Sequence, residues 1–196
     1  MPVTKAELLG TWLSNRIVMG FNDGRQIGVG WHNLETYPIH LRWTEHEALL
    51  YLALRCSSES RVLYMALAGW SWIKGVPSHG LREPEVSVLL DGDLLGKFQA
   101  PTKFELVTVD IKEIPEEPGK VLEVTTSTDR VIVPDKILKN GDKRELGVAV
   151  CCIGLESEHF LQYSSRFIKE KLDIVNARIS RRSGSLGREG SATSTR

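Results

Sequence analysis

Apolar residues in this chain come in short bursts that alternate with polar ones, and turn residues separate the bursts. Ile27, Val29 and Trp31 alternate among glycines, which predicts a half-buried strand. The segment 47–55 (EALLYLALR) has helical propensity. Leu50, Leu52 and Leu54 nevertheless share one strand face, and its neighbours are strand-like, so a strand is predicted. Residues 61–68 form a further apolar strand. The stretch 69–83, with its glycines and tryptophans, reads as a loop. Two apolar runs flank Asp91-Gly92, the signature of a tight hairpin in which glycine supplies positive φ. Residues 104–111 alternate cleanly. Shorter strands are predicted at 121–125 and 131–133, with turns at 115–119 and at Asn140-Gly141. The long apolar run 146–155 suits a central strand buried on both faces.

After Ser157 the period changes. Leu161, Ile168, Leu172, Val175 and Ile179 recur at helical spacing and form a narrow a/d stripe. From Ser183 the chain is rich in Ser, Gly and Thr and holds almost nothing to bury. The pattern therefore divides into a lead-in (1–11), a β-sandwich domain (12–157), an amphipathic helix (158–182) and a disordered tail (183–196). Many short strands without strand–helix alternation predict a mostly β fold, an antiparallel jelly-roll-like sandwich followed by a C-terminal helix.

Composition narrows the function. Twenty-five basic residues balance 25 acidic ones in 196 residues, so net charge is zero. That balance argues against an electrostatic grip of the whole domain on nucleic acid or an anionic membrane. Of the three cysteines, Cys151 and Cys152 are adjacent in an apolar run, which suits reduced thiols in a reducing compartment rather than a disulfide framework. No basic segment followed by an apolar run opens the chain, and no apolar stretch is long enough to span a membrane. The expected setting is cytoplasmic.

Several fragments occur in an ordered series: Gly30-Trp31-His32 with Glu35, Arg42-Trp43-Thr44, Leu90-Asp91-Gly92 with Leu95-Gly96, Pro134, and Asp142-x-Arg144-x-Leu146-Gly147. The series, over residues 30–155, resembles a β-sandwich accessory domain found beside glycosyltransferases and methyltransferases of bacterial surface-polysaccharide pathways. The resemblance implies a non-catalytic module that binds glycan or docks on such a transferase. The loop 69–83 and the C-terminal helix lie outside it.

Aromatic planes stack on the C–H faces of sugars, so the tryptophans are the first candidates. Trp31 and Trp43, inside strand patterns, read as core packing. Trp70 and Trp72 flank Ser71 in the glycine-rich loop, near Lys74 and His79, and both sugar stacking and loop anchoring are open for them. Glu35, Arg42, Asp142 and Arg144 read as a polar network tying the sheets together, with hydroxyl recognition as the alternative. The five histidines lack zinc-ligand spacing, Asp91-Gly92-Asp93 lacks the remaining ligands of a calcium loop, and no nucleophile elbow or phosphate-binding glycine motif occurs. The expectation is a non-enzyme without metal or cofactor. The alternative function is an assembly module whose helix, 159–182, pairs two copies or docks on a partner enzyme. The narrowness of its stripe favours pairing.

Overall fold

The structure, a computed structural model, describes residues 13–36, 39–54, 61–112, 120–157, 166 and 168–177. Among the described residues, nine strands build two antiparallel sheets. They are β1 (Arg16–Val18), β2 (Arg42–Trp43), β3 (Glu47–Ala53), β4 (Arg61–Ala68), β5 (Glu85–Leu90), β6 (Asp93–Gln99), β7 (Glu105–Ile111), β8 (Val121–Thr128) and β9 (Ala149–Ser157). Sheet A runs β1-β9-β4-β7, with β2 also paired to β9, and sheet B runs β3-β8-β5-β6. From β3 to β9 the chain crosses between the sheets at every step except the β5–β6 hairpin, as a jelly roll does. The mostly β sandwich read from the sequence is the fold observed.

Alternation decides which side chains enter the core between the sheets. Leu50 and Leu52 of β3, Leu122 and Val124 of β8, and Val86 and Val88 of β5 point inward from sheet B. Leu63, Met65, Val150 and Ile153 meet them from sheet A. The strand chosen for 47–55 over a helix is β3. The Asp91-Gly92 turn has φ of 49° and 93° at its two residues, the mirror-image turn that matches strand twist.

Sheet A is buried on its other face too. Trp43, Ala66, Ala68, Phe104 and Ala149 form a second core there with Trp70 and Val76 of the 69–83 loop and with Leu172 and Val175 of a C-terminal helix. That explains why the run leading into β9 is apolar on both faces. A short helix, α1 (Pro134–Leu138), adds Ile137 and Leu138 to the rim of this core.

The C-terminal helix, α2, is described over 168–177. Over the described residues, the apolar stripe packs within this chain. Leu172 and Val175 are buried against sheet A, and Ile168 packs beside them. Asn176 fastens the helix by donating to Phe104 O at 2.9 Å and accepting from Phe104 N at 3.1 Å. The physical reason is proximity: the outer face of sheet A is an apolar surface on the same chain. Leu161 and Ile179, the ends of the stripe, and the tail 183–196 lie outside the described residues. Leu172→Ala is expected to destabilise the protein by about 2–4 kcal/mol, read by urea unfolding, without a concentration dependence of the midpoint.

Two short predicted strands are not strands. Residues 27–31 make only isolated bridges, Ile27 to Leu50 and Trp31 to Thr44. The cause is Gly30, whose φ of +80° lets the backbone pass against Glu47 O, where a Cβ would lie 1.8 Å from that oxygen. At 131–133 a single bridge joins Ile132 to Leu146, because Pro134 starts α1 directly afterwards.

Candidate functional site

One edge of the sandwich is closed by loops. Strands β1 and β3 end their sheets on one side, while β6 and β7 adjoin on the other. The segment after β1 crosses between the two sheet edges: Met19 N donates to Cys151 O of sheet A, and Gly28 N donates to Leu49 O of sheet B. Gln26 anchors the crossing by donating to Ser14 O and Tyr51 O at 2.9 and 2.8 Å.

Polar side chains concentrate along this crossing. Buried Asp23 accepts from Gly20 N at 3.0 Å and pairs with Arg42 Nε at 2.6 Å. Arg42 Nη1 continues to His32 O at 3.0 Å, and the His32 ring lies 2.7 Å from Glu145 O. Next to Glu145, Arg144 holds two carboxylates. Its Nε and Nη2 donate to Asp142 at 2.9 and 2.7 Å, and its Nη1 lies 2.9 Å from Glu35. The Arg144 guanidinium holds the Asp142 carboxyl below its ordinary range, against a smaller opposing effect of burial. These side chains are about a quarter to a third exposed, so their pairing adds little net stability. What it adds is fixed geometry, with three of the five N–H groups of Arg144 committed.

On the same crossing segment stands Phe21, which is 87% exposed. Its neighbour Gly20 turns at φ +76° against the His40 ring and Leu34. Asn22 locks the turn by accepting from Val18 N at 2.7 Å and donating to Arg16 O at 2.8 Å. An aromatic face is thereby held open to water on an ordered turn, two residues before Asp23.

The sequence candidates are distributed unevenly around this edge. Glu35, Asp142 and Arg144 come together as one network. Arg42 does not join their ion pairs; it pairs with Asp23, and His32 is the bridge between the two halves. Trp70 is only 2% exposed, and its indole N–H donates to Leu146 O and Gly147 O. It is a core residue with no face available for stacking, so the paired-tryptophan platform is corrected to a loop anchor. Trp72 is half-buried and stacks on Trp43 at 5.6 Å and 8°, with Phe104 tilted against it at 5.4 Å. Lys74 and His79 are exposed in the same loop and make no ion pair among the described residues. The loop is held by Glu83, a buried carboxylate that accepts from Trp70 N at 2.5 Å and Ser71 N at 2.8 Å.

Two motif fragments distant in sequence meet here for structural reasons. Val148 N donates to Thr44 Oγ1 at 3.0 Å, and a Cβ on Gly147 would lie 2.4 Å from that oxygen. Asp23, His32 and Phe21 were not singled out as site residues from the sequence. A solitary Phe between two glycines, Gly20 and Gly24, was the available signal for the last.

No family model matches this sequence, and no curated protein matches it. Among solved structures, a family 35 carbohydrate-binding module from Clostridium thermocellum is similar at 11% identity, over 72% of this chain and 98% of that one, with a TM-score of 0.43. The C-terminal family 6 carbohydrate-binding module of a marine laminarinase from Zobellia galactanivorans is similar at 9% identity, over 72% and 99%, with a TM-score of 0.40. A family 35 module from Cellvibrio japonicus is similar at 12% identity, over 72% and 93%, with a TM-score of 0.39.

Proposed function

We propose that this chain is a non-catalytic carbohydrate-binding module whose site is the loop edge around Phe21, His32, Glu35, Asp142 and Arg144. The observation that carries the reading is an exposed Phe21 ring two residues from Asp23, where a chain of polar contacts through Arg42 and His32 leads to the pre-positioned Arg144 network. A sugar offers both surfaces that such an edge complements. Its C–H face stacks on the aromatic ring, and its hydroxyls accept from the uncommitted Arg144 N–H groups and donate to carboxylate oxygens. Because the network is tied together before ligand arrives, little side-chain ordering opposes binding.

A role in glycan assembly beside a glycosyltransferase or methyltransferase, in the cytoplasm, belongs to this proposal and is supported only by the motif series over residues 30–155 and by the unbridged thiols.

The test is a glycan-array screen of the purified chain, followed by calorimetric titration of the best glycan. Phe21→Ala is expected to weaken binding about tenfold or more, and Arg144→Ala comparably, with unfolding midpoints close to wild type. Trp72→Ala is expected to leave the affinity of the folded fraction unchanged. A folded wild type that binds no glycan, or a Phe21→Ala variant that binds as wild type does, refutes the reading.

A further inference from the structure

On a regular strand, neighbouring side chains point to opposite faces. Cys151 and Cys152 do not. The register of β9 on β4 slips between Ala66 and Leu67: Cys152 faces Ala66, Val150 faces Leu67, and Cys151 is the extra residue of a bulge. The flanking Val150 and Ile153 both enter the core between the sheets, whereas Cys151 and Cys152 both pack on the outer face of sheet A. The bulge therefore sets two adjacent cysteines on one face of the sheet, both of them half-buried residues.

The chemistry around them is unequal. The Cys151 proton has two acceptors in reach, Ala66 O at 3.4 Å and the Cys152 sulfur. The hydrogen bond to Cys152 raises the Cys151 thiol well above its ordinary range and lowers that of Cys152, which makes Cys152 the more acidic of the two. Tyr64 packs against Cys152, and its buried hydroxyl has no hydrogen-bond partner among the described residues. Burial, and next the neighbouring Cys152, push that phenol above its ordinary range, which keeps it a donor.

Two outcomes are open to such a pair, and geometry separates them. Adjacent Cα atoms stand about 3.8 Å apart, short of the roughly 4.4–6.8 Å that an unstrained disulfide spans. A direct S–S bond is thus disfavoured, while a third atom bridging the sulfurs relieves the shortfall. We propose that Cys151 and Cys152 form a chelating dithiol site for a soft, thiophilic centre of the trivalent-arsenical class, with Tyr64 packed against Cys152. With an organoarsenic oxide the step balances without redox change. Two S–H bonds and the As–O bond break, two S–As bonds form, and one water leaves.

The probe is phenylarsine oxide on the full chain carrying Cys56→Ser, followed by intact mass. One adduct per folded chain is expected, stable to a monothiol and removed by 1,2-ethanedithiol. Adding Cys152→Ser or Cys151→Ser is expected to abolish the monothiol-resistant adduct. The proposal is overturned if the folded protein takes no adduct that the urea-unfolded protein does take. It is equally overturned if either single-cysteine variant retains the resistant adduct. Neither result bears on glycan binding at the loop edge.

Discussion

Replacing Trp70 by alanine is expected to cost about 3–5 kcal/mol of stability, the range for removing a large aromatic from a core. Trp70 is buried between the 69–83 loop and the outer face of sheet A, in contact with a cluster that includes Val76, Phe104 and Leu146. Its removal also leaves Leu146 O and Gly147 O without their indole donor. Trp70→Phe keeps a six-membered aromatic ring and loses the N–H with the rest of the indole, for an expected cost of about 1–3 kcal/mol. Urea unfolding with a shared slope reads both values. Had Trp70 been a sugar platform, alanine would have left stability nearly unchanged and removed binding. The structure requires the reverse pattern.

The second large effect is expected at Glu83. Its carboxylate is buried and receives the N–H groups of Trp70 and Ser71, and its own carbonyl accepts from Gln99 Nε2. Gly69 leaves the room, since a Cβ there would lie 2.0 Å from Glu83 Oε2. Glu83→Ala strands two backbone donors in a buried site, at an expected cost of about 3 kcal/mol. Glu83→Gln keeps an acceptor oxygen and is expected to recover roughly half of that. Thermal melts of the two variants check the order. The loop is remote in role from the proposed sugar edge, so the affinity of the folded fraction is expected to stay at the wild-type value.

The strands were legible where alternation and turn chemistry agreed. Leu50, Leu52 and Leu54 outweighed the helical propensity of their segment, and Asp91-Gly92 fixed its hairpin, because one buried face and one positive-φ turn are local properties of the chain. Residues 27–31 alternated equally well and are not a strand, since the deciding contact is the approach of Gly30 to Glu47 O, a tertiary fact. The helix stripe was visible, but its partner was not. Nothing in periodicity says whether Leu172 and Val175 meet another helix or the alanines of sheet A.

The polar network was legible in part. Glu35, Asp142 and Arg144 stood out as residue types and do assemble. The tryptophans misled because burial and stacking call for the same side chain, and only the donor bonds of Trp70 to Leu146 and Gly147 tell them apart. Phe21 escaped notice because its exposure depends on a turn built by Gly20, Asn22 and Asp23, whose side chains bond to backbone several residues away.

The most direct test of the glycan site is an amide correlation spectrum of the labelled protein, titrated with a panel of neutral and acidic oligosaccharides. The account predicts that a binding sugar shifts the amides of residues 20–25, 32–35 and 142–145 and leaves those of 69–83 in place. Shifts centred on 69–83, or a spectrum that no sugar in the panel perturbs, would contradict it.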